Sequence, residues 1–197
     1  KQENTKMKNN IIGRKSEQDT LAHIFESRQS EFVAVCGRRR VGKTFLVREY
    51  FEQEMVFQTS GLAGGNTQEQ LKNFFYTLRR YDRNVTSVPH DWIDAFEMLI
   101  TYLDSLNGIE RKVVFLDELP WMDTAGSNFI SALEHFWNGW ASARRDIVLI
   151  VCGSATSWMM DKLINNHGGL YGRLTHRLFL QPFSLGESEA FLKTMGM

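Results

Sequence analysis

An eight-residue segment near the amino terminus has the spacing needed to bind phosphate groups. Residues 37–44 read GRRRVGKT and match the phosphate-loop pattern G-x-x-x-x-G-K-[ST] at every fixed position. The glycines let the backbone curl around a pyrophosphate, and the amides at the start of the following helix point toward its oxygens. The segment therefore predicts a nucleotide site whose binding residues include Gly37, Arg38, Val41, Gly42 and Phe45.

The last two residues of the motif have separate chemical roles. Lys43 places a positive charge at the β- and γ-phosphates, and the hydroxyl of Thr44 is an oxygen ligand for Mg²⁺. Three interpretations of the arginines at positions 38–40 stay open. They contact phosphate, they contact an acidic surface of a partner, or they point to solvent. The motif predicts a nucleoside triphosphate with Mg²⁺ as the ligand.

A pair of adjacent acids supplies the other half of this chemistry. Residues 113–116 are apolar and lead directly into Asp117 and Glu118. In a phosphate-loop fold this strand lies beside the loop, so Asp117 is placed to hold Mg²⁺ and Glu118 to polarise the attacking water. The pair favours triphosphate hydrolysis coupled to movement, and the N-K-x-D motif of guanine-reading proteins is absent from the sequence.

Strands and helices must alternate along the chain to position these residues. Apolar runs of strand length alternate with segments of helical periodicity, a pattern typical of an α/β protein with helices on both faces of a parallel sheet. In the helix after the phosphate loop, Phe45 is predicted to face inward, and Ser16 is predicted to cap a helix over residues 16–30. The predicted strands cover residues 32–36, 55–59, 113–116, 147–152 and 178–180.

Composition sets limits on the class of protein. The 197 residues carry 23 basic and 23 acidic side chains, so the net charge gives no general attraction to nucleic acid or to an anionic membrane. A local patch of basic residues on the surface is still compatible with this balance. The longest apolar runs have the length of a strand, which predicts no membrane-spanning helix. Cys36 and Cys152 lie in apolar runs and favour buried free thiols in a reducing, cytoplasmic compartment.

In order along residues 11–186, these segments resemble the AAA+ and STAND ATPases, in particular the archaeal-type ATPase group of archaea and many bacteria. The sequence IIGR at residues 11–14 is similar to the family's opening box near the adenine, which implies that Arg14 lies at the nucleotide. DELPW at residues 117–121 resembles a D-E-x-P-W variant of bacterial members.

Two later segments extend the resemblance to residues that would act on the γ-phosphate. VCGS at residues 151–154 is similar to the family's sensor-1 strand end, which implies that Ser154 touches the γ-phosphate or the attacking water. LYGR at residues 170–173 resembles an element of the family in which an arginine acts as a finger or relay. By this resemblance Arg173 is the candidate finger, in cis or in trans, and Arg177 is the reserve.

The resemblance implies a three-layer αβα sandwich with a five-stranded parallel sheet of order 5-1-4-3-2. It divides the chain into a disordered or artificially added lead at residues 1–10, an ATPase core at 11–186, and the start of a helical lid at 187–197. A complete lid and a further domain would follow in the family, so the ATPase activity of this length of chain is expected to be weak.

The function implied is Mg²⁺-dependent ATP binding and hydrolysis that drives a conformational switch in a larger protein. Two alternatives stay open. One is a nucleotide-dependent binding module, DNA-associated or not, with negligible hydrolysis, and the other is a phosphate-loop kinase. A protein or DNA partner and a homo-oligomer are also left open, and no membrane partner is expected.

Overall fold

The computed structural model describes residues 11–154, 156–165, 168–194 and 196. Five strands form one parallel sheet in the order β2-β3-β4-β1-β5, which confirms the predicted order 5-1-4-3-2 read from the opposite edge. The acidic strand β3 is thus separated from β1 by β4. The strands are β1 Glu31–Cys36, β2 Met55–Ser60, β3 Lys112–Asp117, β4 Ile147–Gly153 and β5 His176–Phe179.

Helices cover both faces of this sheet. One buried cluster joins α3, α4 and α6 to residues such as Phe32 and Ala34 of β1, and a second joins α1 and α2 to Val33 and Val35. Because successive side chains of a strand point to opposite faces, this division makes three layers. The helices are α1 Lys15–Glu26, α2 Lys43–Tyr50, α3 Thr67–Tyr81, α4 Trp92–Ser105, α5 Leu119–Met122, α6 Phe129–Gly139, α7 Thr156–Met159 and α8 Leu185–Thr194.

The central strands are the elements that their sequence predicts best. Every residue of β1, β3 and β4 is buried, as expected for strands of a parallel sheet covered on both faces. Since all strands run in one direction, their carboxyl ends meet at a single edge of the sheet. Ligands of open α/β sheets bind at this edge, outside the carboxyl ends of the strands.

The prediction about the first helix is wrong, and one short helix has no counterpart in the sequence analysis. The first helix ends at Glu26 and starts after Arg14, whose φ of 54° is left-handed, so Ser16 lies inside the first turn and does not cap it. The short helix α5, which begins just after the acid pair, was not predicted. Its four residues are too few to show periodicity, although Pro120 in its first turn is a common start signal.

An ion-pair cluster at the amino end of β4 supports a prediction about stability. The Asp146 carboxylate accepts hydrogen bonds of 2.8 Å from Arg144 Nε and from Lys112 Nζ, and the Lys112 side chain is only 5% exposed. Mainly the Arg144 hydrogen bond, assisted by Lys112, holds the pKa of Asp146 well below its ordinary value of 3.8. Asp146→Asn should lower the free energy of unfolding by about 1–3 kcal/mol at neutral pH, because a buried ammonium loses its partner.

The pH dependence of this loss is set by the depressed pKa. The carboxylate contributes fully above the unfolded pKa of 3.8, and its contribution is lost as pH falls through the lower folded pKa. Urea unfolding should therefore show a constant gap between wild type and Asp146→Asn from about pH 5 upward, closing only in strong acid. Asp161→Asn, at an exposed position, is the control; an equal loss there would contradict the assignment.

Candidate nucleotide site

The backbone of the phosphate loop needs its glycines. Gly37 has a φ of 146°, and a Cβ there would lie 2.4 Å from the carbonyl oxygen of Leu180. Gly42 has a φ of 88° and is the N-cap residue of α2. Both conformations disfavour residues with a side chain, so the fixed glycines of the motif hold the loop between β1 and the amino end of α2.

Lys43 joins the two arms of this loop. Its ammonium donates hydrogen bonds of 2.9 Å to the carbonyl of Gly37 and 2.8 Å to the carbonyl of Arg38, and the residue is only 6% exposed. Both acceptors are neutral carbonyl oxygens, so neither of them cancels the charge of the lysine. The loop is thus a cationic anchor that an anionic phosphate would reinforce.

Thr44 and Asp117 meet across the loop. The Thr44 hydroxyl donates a 2.9 Å hydrogen bond to Asp117 Oδ2, while Asp117 Oδ1 accepts a 2.9 Å bond from the amide of Glu118. Because the threonine proton is directed to the carboxylate, the hydroxyl lone pairs remain free for a cation. Hydroxyl and carboxylate oxygens are the hard donors that Mg²⁺ prefers, so this pair fits that ion.

Glu118 stands at the carboxyl end of β3 in a left-handed conformation, with a φ of 46°. This backbone is uncommon for a residue with a side chain, and such conformations concentrate at functional sites. Its Oε2 accepts a 3.2 Å hydrogen bond from the hydroxyl of Ser154, which follows the neighbouring strand β4. Two residues that are 36 positions apart in sequence therefore share one side-chain contact.

Two glycines that sequence reasoning assigned no role hold α5 behind the acid pair. A Cβ on Gly61 would lie 2.6 Å from the carbonyl oxygen of Glu118 and 2.8 Å from the Cβ of Trp121. A Cβ on Gly153 would lie 2.8 Å from Cδ of Pro120. The sequence signal for this close approach was a glycine at a strand end, since Gly61 follows β2 directly and Gly153 is the last residue of β4.

Gly61→Ala tests whether this packing positions Glu118. The added methyl must displace the Glu118 carbonyl, so turnover should fall at least about tenfold while ATP affinity is retained. Phosphate release and calorimetric titration measure the two effects separately. Gly139→Ala is the matched control, because a Cβ there meets nothing closer than 3.7 Å; unchanged turnover in Gly61→Ala would show that the contact does not position the acid.

An apolar pocket of about 380 Å³ lies beside the phosphate loop. Arg14 forms part of its wall, with its guanidinium 4.7 Å from the centre of the Phe183 ring. The same guanidinium donates to the carbonyls of Val41, at 3.0 Å, and Gln181, at 2.6 Å. The pocket is lined by Ile12, Arg14, Arg40, Val41, Gly42, Phe45, Pro182, Phe183 and Phe191.

Arg14 also connects this pocket to α8. Its backbone amide donates a 3.0 Å hydrogen bond to Glu187, which in turn accepts from the amide and hydroxyl of Ser184. The amide of Ser184, followed by that of Arg14, holds the pKa of Glu187 below its ordinary value. Arg14 is only 6% exposed. Through its hydrogen bonds to Val41 and Glu187, this buried residue of the opening box contacts both the phosphate loop and α8.

The prediction that Phe45 faces the core is wrong. Phe45 is 53% exposed and lines the pocket, whereas Lys43, Leu46, Val47 and Tyr50 form the buried face of α2. The helical period places buried residues three, four and seven positions after Lys43, and Phe45 falls outside this stripe. An aromatic face beside a phosphate loop suits a planar base.

The two arginines proposed as fingers lie away from these contacts. Arg173 is exposed in the turn before β5, where its amide bonds to the Leu170 carbonyl at 3.1 Å, and Arg177 is exposed on the edge strand β5. Among the described residues, no hydrogen bond or ion pair links either side chain to Lys43 or Glu118. Arg173 as a finger stays a prediction.

Comparison with known proteins identifies a family of ATPase domains and several proteins with a similar sequence or fold. A family model described as an ATPase domain predominantly from Archaea matches residues 12–196. An uncharacterised protein of Methanocaldococcus jannaschii is 25% identical over 181 residues, which is 92% of this chain and 38% of that protein. The fold is also similar to the Walker-type ATPase PABY2304 of Pyrococcus abyssi, with a TM-score of 0.69 and 20% identity over 93% of this chain and 57% of that one.

Two further solved structures share the fold at lower identity. Drosophila ORC, solved bound to DNA, has a TM-score of 0.62 and 15% identity, covering 91% of this chain and 45% of that one. Cdc6p of Pyrobaculum aerophilum has a TM-score of 0.59 and 14% identity, covering 95% and 50%. This chain therefore spans between about two fifths and three fifths of the length of these proteins. Within the described ranges, none of the helices is both long and apolar enough to span a bilayer.

Proposed function

Because the chain belongs to the family of ATPase domains found predominantly in Archaea, we propose that it binds ATP with Mg²⁺ and hydrolyses it. One observation supports the proposal more strongly than the others. Asp117 contacts Thr44 of the phosphate loop through one carboxylate oxygen, at 2.9 Å, and the amide of Glu118 through the other. This single residue links the part of the site that would hold the cation to the part that would activate water.

The side chains divide the work of binding and hydrolysis. Lys43 binds the β- and γ-phosphates, while Thr44 and Asp117 hold Mg²⁺, which when bound neutralises charge on the phosphate oxygens. Glu118 accepts the proton of the attacking water, and Ser154 orients the Glu118 carboxylate. Arg14, Val41 and Phe45 form the pocket for the base, and the loop amides from Gly37 to Gly42, with Arg38 among them, surround the phosphates.

In the larger protein, this nucleotide cycle would drive a conformational switch. The contact of Arg14 with both Val41 and Glu187 gives such a switch a physical route, because it joins the phosphate loop to α8. A lid continuing from α8 and a further domain would receive the movement. We place the activity in the cytoplasm, where the buried free thiols Cys36 and Cys152 would remain reduced.

The first experiment is calorimetric titration of the protein with ATP and with GTP in the presence of Mg²⁺, followed by phosphate release on the same samples. Tight ATP binding, weaker GTP binding and slow release are expected. Omitting Mg²⁺ should weaken ATP binding, because Thr44 and Asp117 then lose the cation that connects them to the phosphates. Absence of ATP binding by the folded protein would overturn the proposal.

The surface of α3 favours a second function, nucleic-acid binding, alongside the first. Lys72, Arg79, Arg80 and Arg83 are exposed at or just after this helix, and Tyr76 among them is 56% exposed. In the described part of the chain, no ion pair involves any of these four cations. An unpaired basic face of this kind suits a row of phosphates, and Drosophila ORC, which shares the fold, was solved bound to DNA.

Reversing charge on this basic face tests the second function. The double variant Arg79→Glu/Arg80→Glu should lower the affinity for duplex DNA and reduce the slope of log affinity against log salt by about one per lost phosphate contact. Fluorescence anisotropy at several salt concentrations measures both quantities. Arg28→Glu/Arg145→Glu makes the same change at two exposed positions just before the amino ends of β1 and β4; an equal loss in both variants would mean that no specific face binds DNA.

A further inference from the structure

Arg39 lies in the variable part of the phosphate loop and contacts the end of β4. Its Nε donates a 3.4 Å hydrogen bond to the hydroxyl oxygen of Ser154. That hydroxyl donates its own proton to Oε2 of Glu118 at 3.2 Å. A hydroxyl can accept and donate together, so a continuous chain of hydrogen bonds connects the guanidinium of the loop to the carboxylate proposed to activate water.

The neighbouring arginines of the loop take different positions. Arg38 contributes its carbonyl to the ammonium of Lys43, and Arg40, with a left-handed φ of 66°, lines the apolar pocket. The three consecutive arginines therefore make different contacts. Of the three arginines, only Arg39 has a side chain that is hydrogen-bonded to Ser154 within the described residues.

We propose that Arg39 contacts the γ-phosphate of ATP from within the same chain and that Ser154 holds its side chain when no triphosphate is bound. The inference rests on the proposed ATPase function. The bond to Ser154 is long, its acceptor is neutral, and Arg39 is exposed and able to move. A phosphate oxygen is a charged acceptor that forms shorter and stronger bonds with a guanidinium, so a triphosphate would displace the serine.

This contact would assist the reaction as well as binding. Water forms a bond to the γ-phosphorus while the bond to the β–γ bridging oxygen breaks, and the proton of the water passes to Glu118. A guanidinium at the γ-phosphate stabilises the charge carried by its oxygens in the transition state. ADP lacks the γ-phosphate, so Arg39 should raise the affinity for ATP relative to that for ADP. Binding measurements detect this difference without any turnover.

The experiment compares Arg39→Ala and Arg39→Lys with wild type and with Arg28→Ala, a matched arginine removal at an exposed position between α1 and β1. Calorimetry gives the affinities for ADP and for a non-hydrolysable ATP analogue, and single-turnover phosphate release gives the rate. Arg39→Ala should lose about tenfold in affinity for the analogue and none for ADP, with turnover lower by about a hundredfold or more. Arg39→Lys should recover part of the binding, since it restores charge without the planar fork.

The outcomes separate this inference from the proposed function. If wild type neither binds nor hydrolyses ATP, the proposed function fails. If wild type does both and Arg39→Ala keeps the wild-type ratio of analogue to ADP affinity, the role of Arg39 is overturned. Equal losses for analogue and ADP would also overturn it, because they would show that Arg39 supports the loop and does not contact the γ-phosphate. Thermal unfolding without nucleotide checks that each variant folds.

Discussion

Glu118→Gln should leave ATP bound and reduce turnover by about 10²- to 10⁴-fold, the usual contribution of a general base. The amide has nearly the same shape as the carboxylate, and its oxygen can still accept the 3.2 Å bond from Ser154. It cannot take a proton from water, so only the chemical step is affected. The phosphate anchors Lys43 and Thr44 are unchanged, which preserves the affinity.

Single-turnover phosphate release and calorimetric titration on the same preparation measure these two quantities. Glu110→Gln, an exposed acid between α4 and β3, makes the same chemical change away from the site and should behave as wild type. If the Glu118→Gln variant turns over at nearly the wild-type rate, Glu118 does not activate water. If it loses ATP binding, the residue supports the site structurally.

Lys43→Ala should abolish ATP binding, with a loss of at least about a hundredfold in affinity, because a buried charge-assisted contact to two phosphates disappears. The variant also loses the hydrogen bonds from Lys43 to the carbonyls of Gly37 and Arg38. The free protein should therefore unfold at a lower temperature as well. Calorimetry and a thermal melt without nucleotide record the two effects.

Arg145→Ala is the control for Lys43→Ala, since it removes an exposed cation just before the amino end of β4 and should keep the wild-type affinity. Unchanged affinity in folded Lys43→Ala would refute the assignment of residues 37–44 as a phosphate loop. Together, the Lys43 and Glu118 variants separate binding from chemistry. The first should lose both, and the second should lose chemistry alone.

The phosphate loop and the buried strands could be predicted from sequence because both depend on patterns that are local in the chain, and the sheet order followed from the resemblance to the family. The glycines of residues 37–44 are required by backbone conformation at Gly37 and Gly42. Continuous apolar runs identify the buried strands β1, β3 and β4, since a strand covered on both faces has no polar side.

Side-chain direction was harder to predict than element type. The apolar run of Phe45, Leu46 and Val47 predicts that all three side chains face the core. The structure buries Leu46 and Val47 and leaves Phe45 at the pocket. An apolar run shows which residues avoid water, and only packing against the sheet decides which of them face the core and which face a ligand.

By itself, the sequence determined the phosphate loop, the acid pair, the strand order implied by the family, and hence the class of chemistry. The tertiary structure alone decided that Arg39 meets Ser154, that Arg14 joins the loop to α8, and that Gly61 packs closely against the backbone of Glu118. The physical reason is that motifs record short-range backbone requirements. Contacts between the ends of different strands depend on the sheet's order and on close approaches that no local spacing encodes.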